Sequence, residues 1–330
     1  MNTPVVLFLF KRYKSVLQIL DVLRKVQPKT IYLVSDAGRN DIEQQEVMKV
    51  RKLVEGAINW KCNVYKDYAT ENRGVFDNIG MGALRVFQKE QRAIFLEDDN
   101  LPEETFFEYC EELLDMYEKN EKILWICGTN YYEKMPLNLE NNFFFTQHLL
   151  PCGWASWGNK FKKFYDSALE LVENPIAMGN FKQSYRNKIL YKQQLNDIMN
   201  EYNRKMKGER YLSWDYHMLL SIRAQGLMGI APRYNQIKNI GVDSASIHGG
   251  SSMMNIMTRR FCEIPTRKMP LPLKKEKVYI NKKADYLLTK KIVYPCFLRM
   301  RISLVNIIKH LLKMDNNESL KQRVKRKIKK

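Results

Sequence analysis

Short apolar runs alternate with amphipathic stretches along the first part of the chain. An apolar run of four to seven residues is typical of a buried strand, whereas apolar residues spaced by three and four are typical of a helix. We predict strands at residues 4–10, 30–34, 59–65 and 93–96, and helices at residues 15–26, 42–55, 75–89 and 103–117. This alternation predicts an α/β fold with a largely parallel sheet and helices on both faces.

The pattern continues less regularly to about residue 250. We predict further strands at residues 123–128, 143–146 and 229–232, long charged helices within 180–210, and a helix at 213–224. Residues 150–158 hold two tryptophans among glycines and predict a turn-rich segment. Beyond Arg259 the sequence becomes rich in Pro and Lys, so we place a domain boundary there, between residues 1–258 and a basic extension at 259–330.

Charge is distributed unevenly along the 330 residues. The net charge is +19, and residues 259–330 contain 22 Lys and Arg against 5 Asp and Glu, so the basic character belongs to the C-terminal segment. The six cysteines are scattered without a CxxC pair, which argues against a disulfide framework or a zinc site. No run reaches the roughly 18 apolar residues of a membrane span. These features predict a cytoplasmic protein.

Three carboxylates, Glu97, Asp98 and Asp99, directly follow the apolar run at residues 93–96. Adjacent acids at the end of a buried strand repel one another unless a cationic group lies between them. A divalent metal with a phosphate-bearing ligand would supply that charge, because hard cations prefer carboxylate oxygens. The alternative is an acidic loop that caps the helix after Pro102. This stretch alone leaves both interpretations open.

Arg12 and Asp36 follow the first and second predicted strands in the same way. Ligands of α/β sheets bind at the carboxyl ends of the strands. Charged groups at three such ends therefore predict a ligand site at this edge of the sheet.

Several motifs, in one order, resemble those of the GT-A nucleotide-sugar glycosyltransferases. They are N-x-G at 72–74, E-D-D at 97–99, F-F-x-Y at 106–109, P-x-G-W-x-x-W at 151–157 and W-D at 214–215. The likeness is strongest to bacterial sugar transferases related to N-acetylglucosaminyltransferase I and protein O-mannose N-acetylglucosaminyltransferase, and covers about residues 4–250. It implies the Rossmann-like GT-A fold, with a nucleotide-binding half at about 1–128 and an acceptor half at about 129–258.

The resemblance also implies roles for individual residues in a metal-dependent, inverting transfer from a nucleoside diphosphate sugar such as a UDP-sugar. Arg12, Asp36 and Asn72 would lie near the nucleotide, and Asp98 would face the ribose or donor sugar. Asp99 would bind Mn²⁺ or Mg²⁺. Asp215 would be the general base that deprotonates the acceptor hydroxyl, opposite the leaving diphosphate.

Two further residues are candidates for ligand binding, and each could instead have a purely structural role. Trp154, with its flanking glycines, could form a wall for a sugar ring, although large rings in loops more often pack beneath them. His248, in a Gly/Ser loop, could close the metal shell as a histidine does in several GT-A enzymes, or be a polar surface residue.

The C-terminal extension contains an amphipathic pattern at about residues 297–314, followed by a stretch at 321–330 that is nearly all Lys and Arg. Such a helix beside a polybasic segment predicts an interfacial anchor on an anionic membrane. The alternatives are a packed terminal helix with a disordered basic end, and nucleic-acid binding. We predict no nucleic-acid partner, because no aromatic and basic interleaving accompanies the charge.

These observations predict a glycosyltransferase of bacterial surface polysaccharide synthesis, such as lipopolysaccharide or capsule. Its acceptor would be a glycan or lipid-linked molecule, and it would lie peripherally on the inner face of the plasma membrane. One alternative is a sugar-1-phosphate nucleotidyltransferase, which normally carries a Gly-rich phosphate loop after the first strand, whereas residues 11–14 contain no glycine. A second is a non-catalytic, membrane-peripheral binding protein with the same fold.

Overall fold

The computed structural model describes residues 1–242, 252–312 and 314. The strands are β1 (Val5–Leu9), β2 (Thr30–Ser35), β3 (Asn63–Tyr68), β4 (Arg92–Glu97), β5 (Asn100–Pro102), β6 (Ile123–Cys127), β7 (Phe143–Thr146), β8 (Trp154–Trp157), β9 (Met228–Pro232) and β10 (Ile237–Asn239). The α-helices are α1 (Tyr13–Val26), α2 (Asp41–Ala57), α3 (Met81–Phe87), α4 (Thr105–Met116), α5 (Gly158–Phe164), α6 (Pro175–Gln183), α7 (Lys188–Met206), α8 (Asp215–Ala224), α9 (Ile256–Phe261), α10 (Lys282–Ile292) and α11 (Cys296–Leu311). A π-helix at Phe76–Gly80 and a 3-10 helix at Glu170–Glu173 complete the regular structure of these residues.

Eight strands form one sheet in the order β3-β2-β1-β4-β8-β6-β9-β7. The four strands from β3 to β4 are parallel, and β6 and β9 run in the same direction. The strands β8 and β7 are antiparallel to their neighbours. The predicted Rossmann-like α/β fold with a mostly parallel sheet is therefore confirmed.

Helices cover both faces of this sheet, as predicted. Val5, Leu7 and Leu9 point to one face and belong to an apolar core shared with α1, α2 and α4. Phe8 points to the other face, because successive residues of a strand alternate, and it stacks on Phe95 at 5.9 Å. Rings from α3 and α5 continue that second core.

Three local predictions differ from the structure. The strand expected at 59–65 lies further along the chain, as β3 at Asn63–Tyr68. The turn-rich segment at 150–158 contains the strand β8, whose four residues are all buried between β4 and β6. The neighbouring Gly and Pro residues mark the ends of this short strand, and a four-residue segment that contains Ser156 does not reveal its own conformation. The helix expected at 75–89 is divided into the π-helix and α3.

The chain divides into two compact units, Met1–Lys290 and Lys291–Lys330. The first unit extends beyond the compositional change at Arg259. Asn281 donates its backbone N–H to Phe145 at 3.0 Å, and Tyr117 donates its hydroxyl to the carbonyl of Glu276 at 3.1 Å. The lysines between Arg259 and Lys290 therefore lie on the solvated surface of a segment that is part of the first unit.

The second unit contains α11, which we predicted at about 297–314. Among the described helices, none combines the length and the apolar character that crossing a bilayer requires.

Candidate functional site

The carboxyl ends of β1 and β4 lie side by side and bring Arg12 to the acid run. The two strands are parallel, with Phe8 opposite Glu97. Arg12, the last residue before α1, donates from Nη1 to Asp98 Oδ1 at 3.0 Å and to Asp99 Oδ2 at 2.9 Å. The cationic group that the sequence requires between these acids is thus, within the described residues, an arginine.

Asp98 joins the two strand ends. Its Oδ2 accepts the backbone N–H of Phe10 at 3.0 Å, while Oδ1 accepts from Arg12. Burial raises the pKa of this carboxyl above its ordinary value, and the Arg12 charge opposes that rise. The residue is 6% exposed, and its two oxygens hold Arg12 and the end of β1 in place.

Asp99 is enclosed by a small second sheet that the sequence pattern did not predict. The strands β5 and β10 pair antiparallel, and Ile240 donates its N–H to the Asp99 carbonyl at 2.9 Å. Asn100 and Asn239 donate side-chain N–H groups to Asp99 Oδ1 at 2.6 and 3.5 Å. A Cβ at Gly241 would collide with the Asp99 carboxylate, so this approach requires glycine.

The helix-cap interpretation of the acid run is wrong. The helix α4 begins at Thr105, with Glu104 at its N-cap position and no side-chain cap bond. Asn100, the residue after the acid run, lies in β5 and accepts the N–H of Gly153 through Oδ1 at 2.7 Å. The acid run is therefore separated from the helix by a strand.

Asp36 holds the loop at residues 72–74. Its Oδ1 accepts the N–H groups of Ala37 and Arg73 at 2.8 and 2.7 Å, and its Oδ2 accepts from Asn72 Nδ2 and Gly74 N at 3.1 and 2.9 Å. A carboxylate oxygen has two lone pairs, so these four bonds fill the group. Asp36 and Asn72 do meet at the predicted edge, but the Asp36 oxygens bind the loop instead of presenting themselves to a nucleotide.

Trp154 does not form the wall of an open sugar pocket, contrary to our expectation. Its ring is 1% exposed and stacks on Phe95 at 3.8 Å and on Trp125 at 4.1 Å. Trp214 lies against the same ring at 5.7 Å. The large apolar area of Trp154 therefore forms a platform beneath the W-D motif, which is the packing role that such rings more often have.

This aromatic stack brings Asp215 towards the acid run. Asp215 is the first residue of α8 and directly follows Trp214. Glu97 lies on the same sheet face as Phe95, because alternate strand residues share a face. Burial raises the pKa of Glu97 well above its ordinary value, and the charges of Asp99, Asp98 and Asp215 raise it further. Asp215 is therefore within electrostatic range of Glu97.

A close approach of the π-helix supports the W-D motif from the other side. A Cβ at Gly80 would lie 2.5 Å from the Tyr165 hydroxyl and 3.0 Å from the Trp214 Cβ. The same hydroxyl donates to the Trp214 carbonyl at 3.3 Å. Because glycine leaves this space open, the segment before Asp215 can pack directly on the helix.

Charge and ligand chemistry fit a divalent cation at this site. Two carboxylates, those of Asp98 and Asp99, share the single guanidinium of Arg12, and carboxylate oxygens suit Mg²⁺ or Mn²⁺. Within the described ranges, no group of three or more His, Cys, Asp or Glu is arranged to hold a metal. A metal bound here would therefore need ligand oxygens, such as phosphates, beside Asp99. His248, the other expected metal ligand, lies outside the described residues.

Cys152 also borders the acid run and was not predicted. Asn239 donates to its sulfur at 3.7 Å. Burial raises the pKa of this thiol well above its ordinary value, and the charges of Asp99 and Glu97 add to the effect. The neutral thiol is a poor ligand for a hard cation, so it closes the wall of the site without adding charge.

No protein-family model and no curated protein matches the chain. Matches among solved structures include mouse xyloside xylosyltransferase 1 in its apo form, at 11% identity, with 69% of this chain and 84% of that chain covered and a TM-score of 0.35. They also include UDP-glucose pyrophosphorylase complexed with UDP-glucose, at 9% identity, covering 73% and 94%, with a TM-score of 0.36. The WbbM bifunctional glycosyltransferase matches at 13% identity, covering 67% and 37%, with a TM-score of 0.28. At these values the fold assignment rests on the strand order and register described above.

Proposed function

We propose that this protein is a metal-dependent, inverting glycosyltransferase that uses a nucleoside diphosphate sugar, most simply a UDP-sugar. The observation that carries the proposal is the pairing of two features at one sheet edge. Arg12 binds Asp98 and Asp99 directly after β4. Asp215 follows Trp214, whose ring stacks on Trp154 in the strand beside β4. A cationic anion-binding group and a separate carboxylate are the two parts that such a transfer requires.

The residues divide this chemistry between them. Asp99 would hold Mn²⁺ or Mg²⁺ together with the diphosphate oxygens, and the ion would supply positive charge for the leaving group. Arg12 lies close enough to Asp99 to share that anion. Asp98 keeps Arg12 in place through its bond at 3.0 Å. Asp215 would accept the proton of the acceptor hydroxyl as the new glycosidic bond forms.

The loop held by Asp36 is the proposed wall of the nucleotide pocket. Its shape is set by four hydrogen bonds to one carboxylate, and Gly74 adopts a φ of +83° within it. A rigid loop at the end of a parallel sheet can present its backbone groups to a base or ribose. Asn72 would act through this geometry, because its amide already binds Asp36 and Ala37.

We expect UDP release when the protein is incubated with Mn²⁺, a panel of UDP-sugars and candidate glycan or lipid-linked acceptors. The matched assay supplies UTP with sugar 1-phosphates and measures pyrophosphate, the product of a nucleotidyltransferase. Pyrophosphate without UDP release would replace our proposal with that alternative. Failure to bind any nucleotide sugar, in calorimetry with and without metal, would leave only the non-catalytic binding protein.

We further propose that α11 binds an anionic membrane surface, where a lipid-linked acceptor of surface polysaccharide synthesis would be found. Five apolar side chains spaced by three and four are exposed along this helix: Phe297, Met300, Leu304, Ile307 and Leu311. The helix contains no acidic residue, and residues 291–330 contain 12 Lys and Arg against 2 Asp and Glu. A second copy of this helix would bring like charges together, whereas anionic lipid complements both its charge and its apolar stripe.

We expect the protein to sediment with phosphatidylglycerol vesicles and not with phosphatidylcholine vesicles. The double change Leu304→Asp and Ile307→Asp should lower vesicle binding at least about 10-fold, because two charges enter the apolar stripe. Ile176→Asp is the matched control, since this side chain is 77% exposed on α6. Unchanged sedimentation of the double variant would refute the anchor, and a shift of wild-type protein to a dimer that the variant abolishes would assign the stripe to self-association.

A further inference from the structure

The segment that leads into Asp215 is held by a buried carboxylate on α7. Glu201 accepts the backbone N–H groups of Leu212 and Ser213 through Oε2, at 2.8 and 3.3 Å. Glu201 is buried, with only 5% of the residue exposed. Burying a charged carboxylate costs free energy unless hydrogen bonds stabilise the charge. Here the two backbone amides donate those hydrogen bonds.

Arg204, one turn further along α7, holds the same segment at its other end. Its Nε donates to the carbonyl of Arg210 at 2.8 Å, and its own carbonyl accepts the N–H of Glu209 at 2.9 Å. The chain reverses direction just before, at Gly208, with a φ of +67°. The backbone of residues 209–213 is therefore fixed to α7 at several points along its length.

Ser213 carries this constraint to the Asp215 carboxylate. Its hydroxyl donates to Asp215 Oδ1 and accepts the N–H of Tyr216 at 3.4 Å. The backbone position of Ser213, which Glu201 sets, thus determines both where α8 begins and how the carboxylate of its first residue is turned. Because Oδ1 already accepts the Ser213 hydroxyl, Oδ2 is the oxygen that would accept the proton of the acceptor.

The same segment reaches the loop at residues 72–74. Arg210 Nη1 donates to the Asn72 carbonyl at 2.9 Å. That loop is the one whose shape Asp36 sets. A single stretch of five residues therefore contacts the proposed nucleotide wall at one end and the proposed base at the other.

We propose that Glu201 is a positioning residue for Asp215: it fixes residues 209–213 so that the carboxylate of Asp215 faces the acceptor hydroxyl. This inference rests on the proposed function of Asp215 as the base. Glu201 touches no substrate in this scheme and acts only through the backbone of Leu212 and Ser213. Arg210, which contacts the nucleotide wall, is held by Arg204 and not by Glu201. Removal of Glu201 should therefore change the rate of transfer and leave the binding of the donor intact.

The test compares Glu201→Met, Glu201→Gln and the matched control Glu173→Met. Met has nearly the length of Glu and only a weakly accepting sulfur, whereas Gln keeps one neutral oxygen that can accept hydrogen bonds from both amides. Glu173 is an exposed acid that binds α7 through Lys205 and does not contact residues 209–213. Two readouts are taken, amide hydrogen exchange at Leu212 and Ser213, and kcat with the KM for the donor.

In Glu201→Met we expect exchange at both amides to rise about 10- to 100-fold, the range that corresponds to losing a charge-assisted hydrogen bond. We expect kcat to fall by a similar factor with the donor KM within about twofold, since no donor contact is removed. Glu201→Gln should recover most of both values, and Glu173→Met should match wild type. Should Glu201→Met not fold, Arg204→Met tests the same attachment, with faster exchange at residues 209–213 expected.

Exchange equal to wild type in the folded variants would overturn the attachment, whatever the activity. Faster exchange with an unchanged kcat would show that the attachment does not position Asp215, and would overturn the proposal. Because exchange is measured without substrate, a wild-type protein that transfers no sugar would refute the proposed function alone.

Discussion

Asp215→Asn should lower kcat by about 100- to 10,000-fold, the range that a general base contributes, while the Kd for the donor stays within about twofold of wild type. Asn keeps the size of the side chain and an oxygen that can accept the Ser213 hydroxyl, so the start of α8 should be preserved. Only the capacity to take a proton is lost. The measurement is single-turnover transfer together with calorimetric titration of the donor in Mn²⁺.

Asp77→Asn is the matched control for this change. Asp77 lies in the π-helix, whose Gly80 approaches Trp214 on the same side of the sheet. We expect its kcat to match wild type. An equal loss of donor affinity and rate in Asp215→Asn would contradict the assignment, because it would show that Asp215 supports the donor site instead of accepting a proton.

The fold could be predicted because its strands are buried on both faces. Each residue of β1 and the four central residues of β4 are apolar, so these strands appear in the sequence as the continuous runs that are typical of a covered parallel sheet. The strand β8 was missed although it is buried too, because its sequence is not a continuous apolar run. It has four residues, its tryptophans also suit a loop, and its place between β4 and β6 is decided by contacts with distant parts of the chain.

The site was predictable to the same extent. Arg12, Asp98 and Asp99 follow strands, and parallel strands end at one edge, so the sequence pattern alone brings them together. Asn239, Gly241 and Glu201 carry no such signal. Their contacts depend on β10 pairing with β5 and on α7 packing beside α8, which no local pattern specifies. Asp215 was identified through its motif, and only the aromatic stack explains how it approaches the acid run.

The role predicted for Trp154 was wrong, although the motif that contains it was recognised. The P-x-G-W-x-x-W segment suggested a wall for a sugar, since two glycines leave room for a ligand. In the structure Gly153 leaves room for protein instead: a Cβ there would meet the Ile237 side chain at 2.5 Å. The Trp154 ring packs between Phe95 and Trp214 and contacts protein instead of an open pocket. The sequence motif does not specify which of these two surroundings the ring has.

Asp99→Ala should abolish the effect of Mn²⁺ on donor affinity and lower kcat by roughly 1,000-fold, since a bound cation contributes several kcal/mol of charge stabilisation. The change removes one carboxylate that contacts Arg12 and leaves the Arg12–Asp98 pair at 3.0 Å. The donor should therefore still bind weakly in EDTA, at the same affinity as wild type without metal. Donor titrations of both proteins, each with Mn²⁺ and with EDTA, check this expectation.

Arg12→Met is the companion variant, because it removes the guanidinium and keeps all three carboxylates. If Asp99 holds the ion, Arg12→Met should lose donor affinity in both conditions and still respond to Mn²⁺, whereas Asp99→Ala should not respond. If the donor affinity and rate of the wild-type protein are the same in EDTA and in Mn²⁺, the proposed metal dependence is wrong. Arg12 would then be the described cation at the end of β4 that faces the diphosphate, and the acid run would serve to hold it there.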